Sequence, residues 1–370
     1  MKIVFLLLII IHALIHLMGS AKAFKLAQVS RLRQPISKPV GLLWLLAAML
    51  LAAAAILLLF KSTAWWVPAG AGLMLSQFLI VLSWSDAKFG TVANLIILIP
   101  AIISGADALP SSFASVYKDE VRRGLAVSAT IPTVTEDDLT GLPLCVQKYL
   151  RYTGAVGRPQ IENFQAKCTG QIRFKMDGGW MDFASEQYNF FQNPARLFLI
   201  QSTMYGIPFD GLHKYVGADA TMEIKVASLF KVVDARGPLM TKGETVTLFN
   251  DLCIMAPARL IDRTITWQSI DPLTARATYT NHGLAITALL SFNEKDELVN
   301  FSSDDRYESA DGITYNNYRW TTPLKAYRDF GGRKAASYGE AFWTTPQGNF
   351  LYGKFNINEI EYNRQSSDGI

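Results

Sequence analysis

Apolar residues crowd into four runs within the first hundred or so positions: Ile3 to Met18, Val40 to Phe60, about Trp65 to Leu82, and about Val92 to Ile103. A helix needs about 20 apolar residues, within a range of roughly 17 to 25, to cross a bilayer. The second run meets this alone; the first and fourth need flanking residues. The pattern then changes to an amphipathic helical one. Phe113, Val116, Tyr117, Val121 and Leu125 recur at helical spacing within Ser111 to Ser128, as do Leu142, Val146, Tyr149 and Leu150 further on. Thr135 and Asp138 have capping-box spacing, and Gly154 is a plausible end signal. The apolar face of the first helix has two destinations, the bilayer or the domain that follows.

From Ile161 the period becomes two. Turn signals recur at Asp177–Gly179, Asn193–Ala195, Asn281–Gly283, Asn293–Glu297, Asp311–Gly312 and Gln347–Asn349. Met222, Ile224, Val226, Phe230 and Val232 read as one face of a strand; Leu284, Ile286, Ala288, Leu290 and Phe292 form another. The segment Ala195 to Gly206 is apolar on both faces. Short turns between alternating strands predict successive antiparallel hairpins. About ten strands in this space are too many for a flat sheet, so a curved sheet or partial β-barrel is expected. Gly243 to Asp262 breaks the meander with helical spacing at Val246, Phe249, Leu252 and Cys253, interrupted by Pro257. The expected fold is therefore an α-helical transmembrane bundle followed by an α+β domain, a curved antiparallel sheet with an inserted helix. The divisions are 1–106 for the membrane part, 107–160 for a helical connector and 161–370 for the β-rich domain.

Of the 370 residues 18% are charged, below the roughly 25% usual in soluble domains. The net charge of +4 provides no basic patch for nucleic acid. Cys145, Cys168 and Cys253 are widely spaced, without a CxxC or zinc pattern. Lys22, Lys25, Arg31, Arg33 and Lys38 make the loop from Gly19 to Pro39 the most basic. Lysine and arginine mark cytoplasmic loops, so four uncleaved spans place everything beyond about Asp107 outside the cytoplasm. A rival remains: Ser20–Ala23 offers a signal-peptidase-like site, and cleavage there would invert the topology against the positive-inside bias.

His12 and His16 share a helix face at i,i+4. Inside a membrane such a pair is either a metal or haem site or a hydrogen-bonding contact between helices, with Gln77 and Asn94 as similar groups. No Walker loop, HExxH, GxSxG, Rossmann or EF-hand pattern occurs, and no cofactor is expected. In Leu298 to Ser309 a period-two reading puts Asp305 on the more apolar face, beside Val299 and Phe301. Either it points into a polar or ligand-filled space, or the strand bulges near Ser302–Ser303 and turns it outward. Asp304 and Arg306 share the other face, where they can pair beside Glu308.

The runs Gly211–Pro238, Phe249–Gly283, Phe330–Trp343 and Ile357–Asn363 resemble an uncharacterised bacterial family of unknown function, over most of Pro143 to Asn363. Leu14–Phe24 and Ser85–Asn94 are similar to DoxX-like four-helix membrane proteins. The curved sheet with an inserted helix resembles LolA-like lipoprotein carriers, although no lipobox cysteine stands near the N-terminus. The first of these families supplies no catalytic residues. The expectation is a membrane-anchored extracytoplasmic binding protein for a lipid or apolar molecule, lined by Trp267, Tyr279, Phe301 and Trp320, with Asp305 near the rim. The alternatives are a scaffold that recruits another envelope protein, and a redox-type membrane enzyme using His12 and His16.

Overall fold

The computed structural model describes residues 2–29, 32–126, 131–204 and 206–366. Arg31 of the basic loop and Ser128 at the end of the connecting helix lie outside the described residues. The chain divides into two compact units, Met1–Ser112 and Phe113–Ile370.

The first unit is helical: α1 (Lys2–Ala23), α2 (Lys38–Leu59), α3 (Trp66–Leu82), the short α4 (Trp84–Ala87) and α5 (Gly90–Asp107). Among the described residues, Ile3–Ala23, Lys38–Leu59 and Gly90–Asp107 are long and apolar enough to cross a membrane, while Trp66–Leu82 is a shorter apolar helix. The first and fourth runs thus gain length from their flanks, and the third is the short one. Leucine and isoleucine side chains such as Ile3, Leu14, Leu46 and Ile99 face outward, as a lipid-facing surface requires. Small residues allow close approach inside the bundle: a Cβ at Gly19 would overlap the Trp44 ring. His12 Nε2 donates to Asn94 Oδ1 (2.8 Å), Ser76 Oγ donates to the same oxygen (3.0 Å), and Asn94 Nδ2 donates to Gln77 Oε1 (3.0 Å). His16 Nδ1 donates to the His12 carbonyl. His12 and Asn94 therefore tie α1, α3 and α5 together.

The second unit begins with α6 (Phe113–Leu125), a 3-10 turn at Asp137–Leu139 and α7 (Leu144–Tyr152). Asp138 caps that turn by accepting from the Thr135 amide (2.7 Å) and hydroxyl (2.8 Å). Six strands follow: β1 (Asn163–Ile172), β2 (Met181–Phe190), β3 (Ala195–Met204), β4 (Ile207–Val216), β5 (Asp219–Val226) and β6 (Phe230–Ala235). Helix α8 (Pro238–Met255) and a 3-10 turn at Pro257–Ile261 come next. The remaining strands are β7 (Ile265–Asp271), β8 (Thr274–Asn281), β9 (Leu284–Phe292), β10 (Leu298–Ser303), β11 (Tyr307–Glu308), β12 (Asn316–Asn317), β13 (Arg319–Phe330), β14 (Arg333–Thr345) and β15 (Gly348–Tyr362). Thirteen of these form one antiparallel sheet in the order β6-β5-β4-β3-β2-β1-β15-β14-β13-β10-β9-β8-β7, with free edges at β6 and β7. Helix α8 packs against β5 at one wing and β9, β10 and β14 at the other. The sheet is therefore curved around the helix without closing.

The strand count exceeds the expected ten partly because Met222 to Val232 is a hairpin, not one strand. Ala227 (φ 54°) and Ser228 (φ 56°) turn the chain in the left-handed region, where neither residue type advertises a turn. The turn at His282 (φ 47°) and Gly283 (φ 79°) has the two positive φ values of a tight hairpin, and Asn281 pairs with Leu284 across it. Helix α8 starts at Pro238, five positions before the expected Gly243; Gly237 precedes it and Pro238 fits its first turn.

Both faces of β3 are buried for a specific reason. Leu197 and Leu199 pack under Phe113, Tyr117 and Val121 of α6, while Phe198 and Ile200 face the space beside α8. The apolar face of α6 thus rests on the sheet of its own unit. The main core joins α7, α8 and the sheet through Tyr149, Phe249, Leu252, Phe301 and their neighbours.

Candidate functional site

Between α8 and the inner faces of β3, β4, β5, β13, β14 and β15 lies a cavity of about 300 Å³. Phe198, Ile200, Phe209, Ile224, Trp320 and Trp343 make much of its wall. Phe174 and Leu239 line it and are also 49% and 41% exposed, which marks where it reaches the surface.

Its inner side carries charge. On β3, Arg196 alternates with Leu197 and so shares the face of Phe198. Its guanidinium lies 3.0 Å from Glu244 and 2.5 Å from Asp251, both on α8. All three side chains are at most 10% exposed. Gln187 Nε2 donates to Asp251 Oδ2 (2.6 Å), and His213 Nδ1 lies 3.2 Å from Glu244 Oε1. Arg306, just beyond β10, donates from Nε to Thr247 Oγ1 (3.0 Å). Its guanidinium stands 4.5 Å from the Trp320 ring centroid and 5.1 Å from that of Trp343. A planar cation on aromatic faces is a favourable pairing.

Burial is the largest influence on Glu244 and raises its pKa, but His213, Arg196 and Arg306 together outweigh it and bring the carboxyl down to about 2. Burial pushes Asp251 above its ordinary range, against Arg196 and Gln187. A carboxyl depressed in the folded state contributes stability that is present above its unfolded value and lost as pH falls through its folded one. For Glu244 that window runs from about 4.5 down to about 2; Asp251 acts in the opposite sense. Acid unfolding of wild type is expected to steepen in this window, and Glu244→Gln is expected to lose that part of the slope. Equal slopes in the two proteins would remove Glu244 as the source. Cys168 also lines the cavity, and burial pushes its thiol up to about 12, so it is no nucleophile at neutral pH. Among the described residues no cluster of His, Cys, Asp and Glu suits a metal ion.

Of the residues expected at the site, Trp320 lines the cavity and donates from Nε1 to Tyr352 Oη (2.9 Å). Phe301 and Tyr279 are buried against Phe249 of α8, with Tyr279 stacked on it at 5.0 Å. Trp267 is half-buried and donates to the Leu260 carbonyl (3.3 Å). Asp305 lies past the end of β10, so neither a bulge at Ser302–Ser303 nor a continuing strand accounts for it. The register shift in β10 falls between Leu298 and Asn300 instead. Asp305 accepts from the Thr287 amide (2.7 Å) and hydroxyl (3.0 Å), and Lys242 stands 2.7 Å away. Asp304 and Arg306 do not pair. Asp304 holds Arg319 in a two-pronged contact at 2.8 Å, which frees Arg306 to turn inward.

Residues 132–355 match the family described as "Family of unknown function (DUF6544)". The chain belongs to that family. No curated protein matches it. Among solved structures, a LolA superfamily protein from Nitrosomonas europaea is 11% identical, with 59% of this chain and 94% of that chain covered and a TM-score of 0.34. A putative outer membrane lipoprotein-sorting protein domain from Vibrio parahaemolyticus is 9% identical, covering 61% and 92% with a TM-score of 0.33. A DUF1329 family protein from Desulfovibrio piger is 11% identical, covering 60% and 94% with a TM-score of 0.35. Likenesses this loose identify no ligand for the DUF6544 chain.

Proposed function

We propose that this chain is a membrane-anchored extracytoplasmic protein that binds a lipid or other apolar molecule in its β-rich unit. The observation that carries the reading is the cavity of about 300 Å³ with Phe198, Ile200, Phe209, Ile224 and two tryptophans in its wall. A concave, mostly apolar space with a few converging polar groups is the usual form of a small-molecule site. The apolar helices support the anchor. The lysines and arginine of the loop after α1 favour a cytoplasmic loop and hence an outward β-rich unit at the bacterial inner membrane. Trp320 is the member of the expected aromatic set that would touch the ligand directly.

One observation favours a second reading, a scaffold for another envelope protein. Strand β6 is a free edge of the sheet, and Phe230 and Val232 on it are 66% and 57% exposed. Such edges pair readily with another chain.

The test is mass spectrometry of an organic extract of the full chain purified from bacterial envelopes. A specific lipid in stoichiometric amount is the expected result, and it should be missing from a Gly211→Trp variant. Gly211 lines the cavity, where a Cβ would meet the Ile200 side chain at 2.7 Å. An empty cavity together with a stoichiometric protein partner would move the assignment to the scaffold.

A further inference from the structure

The charged side of the cavity is not evenly satisfied. Arg196 is matched to one oxygen of Glu244 and one of Asp251. Glu308 and Glu340, which also line the space, accept from Asn316 Nδ2 (2.9 Å) and Tyr338 Oη (2.7 Å). Two arginines of the lining are less fully matched. Arg173, beside the exposed Phe174, donates from Nε to the Leu351 carbonyl (2.7 Å) and stands over the Trp180 and Phe350 rings. Arg306 stands against the buried Trp320 and Trp343. Only its Nε is hydrogen-bonded, to Thr247. Nη2 stands 3.7 Å from Glu244 Oε1, an oxygen already facing His213, and Nη1 has no acceptor among the described residues. The guanidinium is nevertheless fixed, by the Thr247 bond on one edge and by two indole faces, and it is 14% exposed.

An ordered arginine with unmet donors inside an apolar-walled space calls for an acceptor with negative charge. Two parallel N–H groups match a carboxylate or phosphate in geometry as well as in sign. The apolar wall from Phe198 and Ile200 to Phe209 asks for a hydrocarbon chain on the same molecule. We infer that the cavity takes an amphiphile with a single anionic oxygen head group, a carboxylate or a phosphate, seated on Arg306 with its chain along that wall. This rests on the lipid-binding reading and narrows it to one class of ligand, and it sets Arg306 as the residue that selects by head group.

The test uses the full chain in phosphatidylcholine nanodiscs and a diazirine-bearing fatty acid whose crosslinks are mapped to cavity peptides. Laurate, dodecyl phosphate, dodecanol, dodecylammonium and inorganic phosphate compete for the labelling. Laurate and dodecyl phosphate should compete best, and dodecanol should be weaker by about tenfold to a hundredfold, the value of one or two charged hydrogen bonds. Dodecylammonium should be weakest. Inorganic phosphate should not compete, which separates a lipid head group from a free anion. Arg306→Gln should bring laurate close to the level of dodecanol, while Arg306→Lys should recover part of the gap. If Arg306→Gln does not fold, the wild-type series alone decides. Dodecanol and laurate competing equally would overturn the head-group inference and leave lipid binding intact. Absence of crosslinks to cavity peptides would overturn both, and competition by inorganic phosphate alone would assign a free-anion site.

Discussion

Replacing Arg196 with methionine is expected to lower the unfolding free energy of the β-rich unit by about 3–5 kcal/mol. The side chain is 6% exposed and stands between Glu244, 3% exposed, and Asp251, 10% exposed. Removing it leaves two carboxylates away from water with His213, Gln187 and the more distant Arg306 as their remaining support. Taking out one partner of a buried pair costs far more than the pair contributes, because the desolvation of the survivor is no longer offset. The combined change Arg196→Met, Glu244→Gln, Asp251→Asn should therefore recover part of the loss. Chemical denaturation of the full chain, followed by tryptophan emission and circular dichroism, measures both. A loss below about 1 kcal/mol for Arg196→Met, in the range of an exposed pair, would show that water reaches the cluster.

Phe249→Ala is expected to cost about 3–5 kcal/mol by the same measurement, the usual range for deleting a core aromatic. Phe249 is 0% exposed, stacks on Tyr279 at an interplanar angle of 11° and touches Phe301 at 5.9 Å. With the Asn250–Thr322 hydrogen bond (2.8 Å) it helps to fix α8 to the second wing of the sheet. Loss of it loosens the helix that carries Glu244, Thr247 and Asp251, so head-group selection should weaken along with stability. Phe249→Leu, which refills much of the volume, should cost markedly less. Equal losses from both substitutions would point to a cause other than the hole.

The architecture was largely legible because it is written in periodicity. Four apolar runs, a switch to period two and a helical interruption near Phe249 locate the bundle, the sheet and α8. Turns with glycine or asparagine, such as Asn281–Gly283, were readable; Ala227–Ser228 was not, since nothing in an alanine–serine pair reports a positive φ. The charged cluster was harder. Arg196 is one polar letter in an apolar strand, and period two alone places it beside Phe198 without saying that anything waits opposite. On α8, Glu244, Thr247 and Asp251 form a polar stripe at helical spacing within a helix buried on most sides. A polar stripe at helical spacing in a largely apolar helix is the signal that finds them. Asp305 misled because the face rule was carried past Ser303, where β10 stops.

The order of strands has a bearing on biosynthesis. Strands β1 and β15, the first and last of the sheet, are neighbours at its middle. Each half is a run of hairpins that forms from nearby residues, but the halves join within the sheet only through that single seam. Every pairing across it, from Phe164 with Tyr362 to Ile172 with Gly353, joins residues far apart in the sequence. Such long-range closure is slow. A nascent chain that has made β1 through β14 holds two unjoined wings, each with an apolar inner face and an unpaired strand where the seam will form. Exposed apolar surface and unpaired strand edges make such an intermediate aggregation-prone, so a holding chaperone would act on it before β15 arrives.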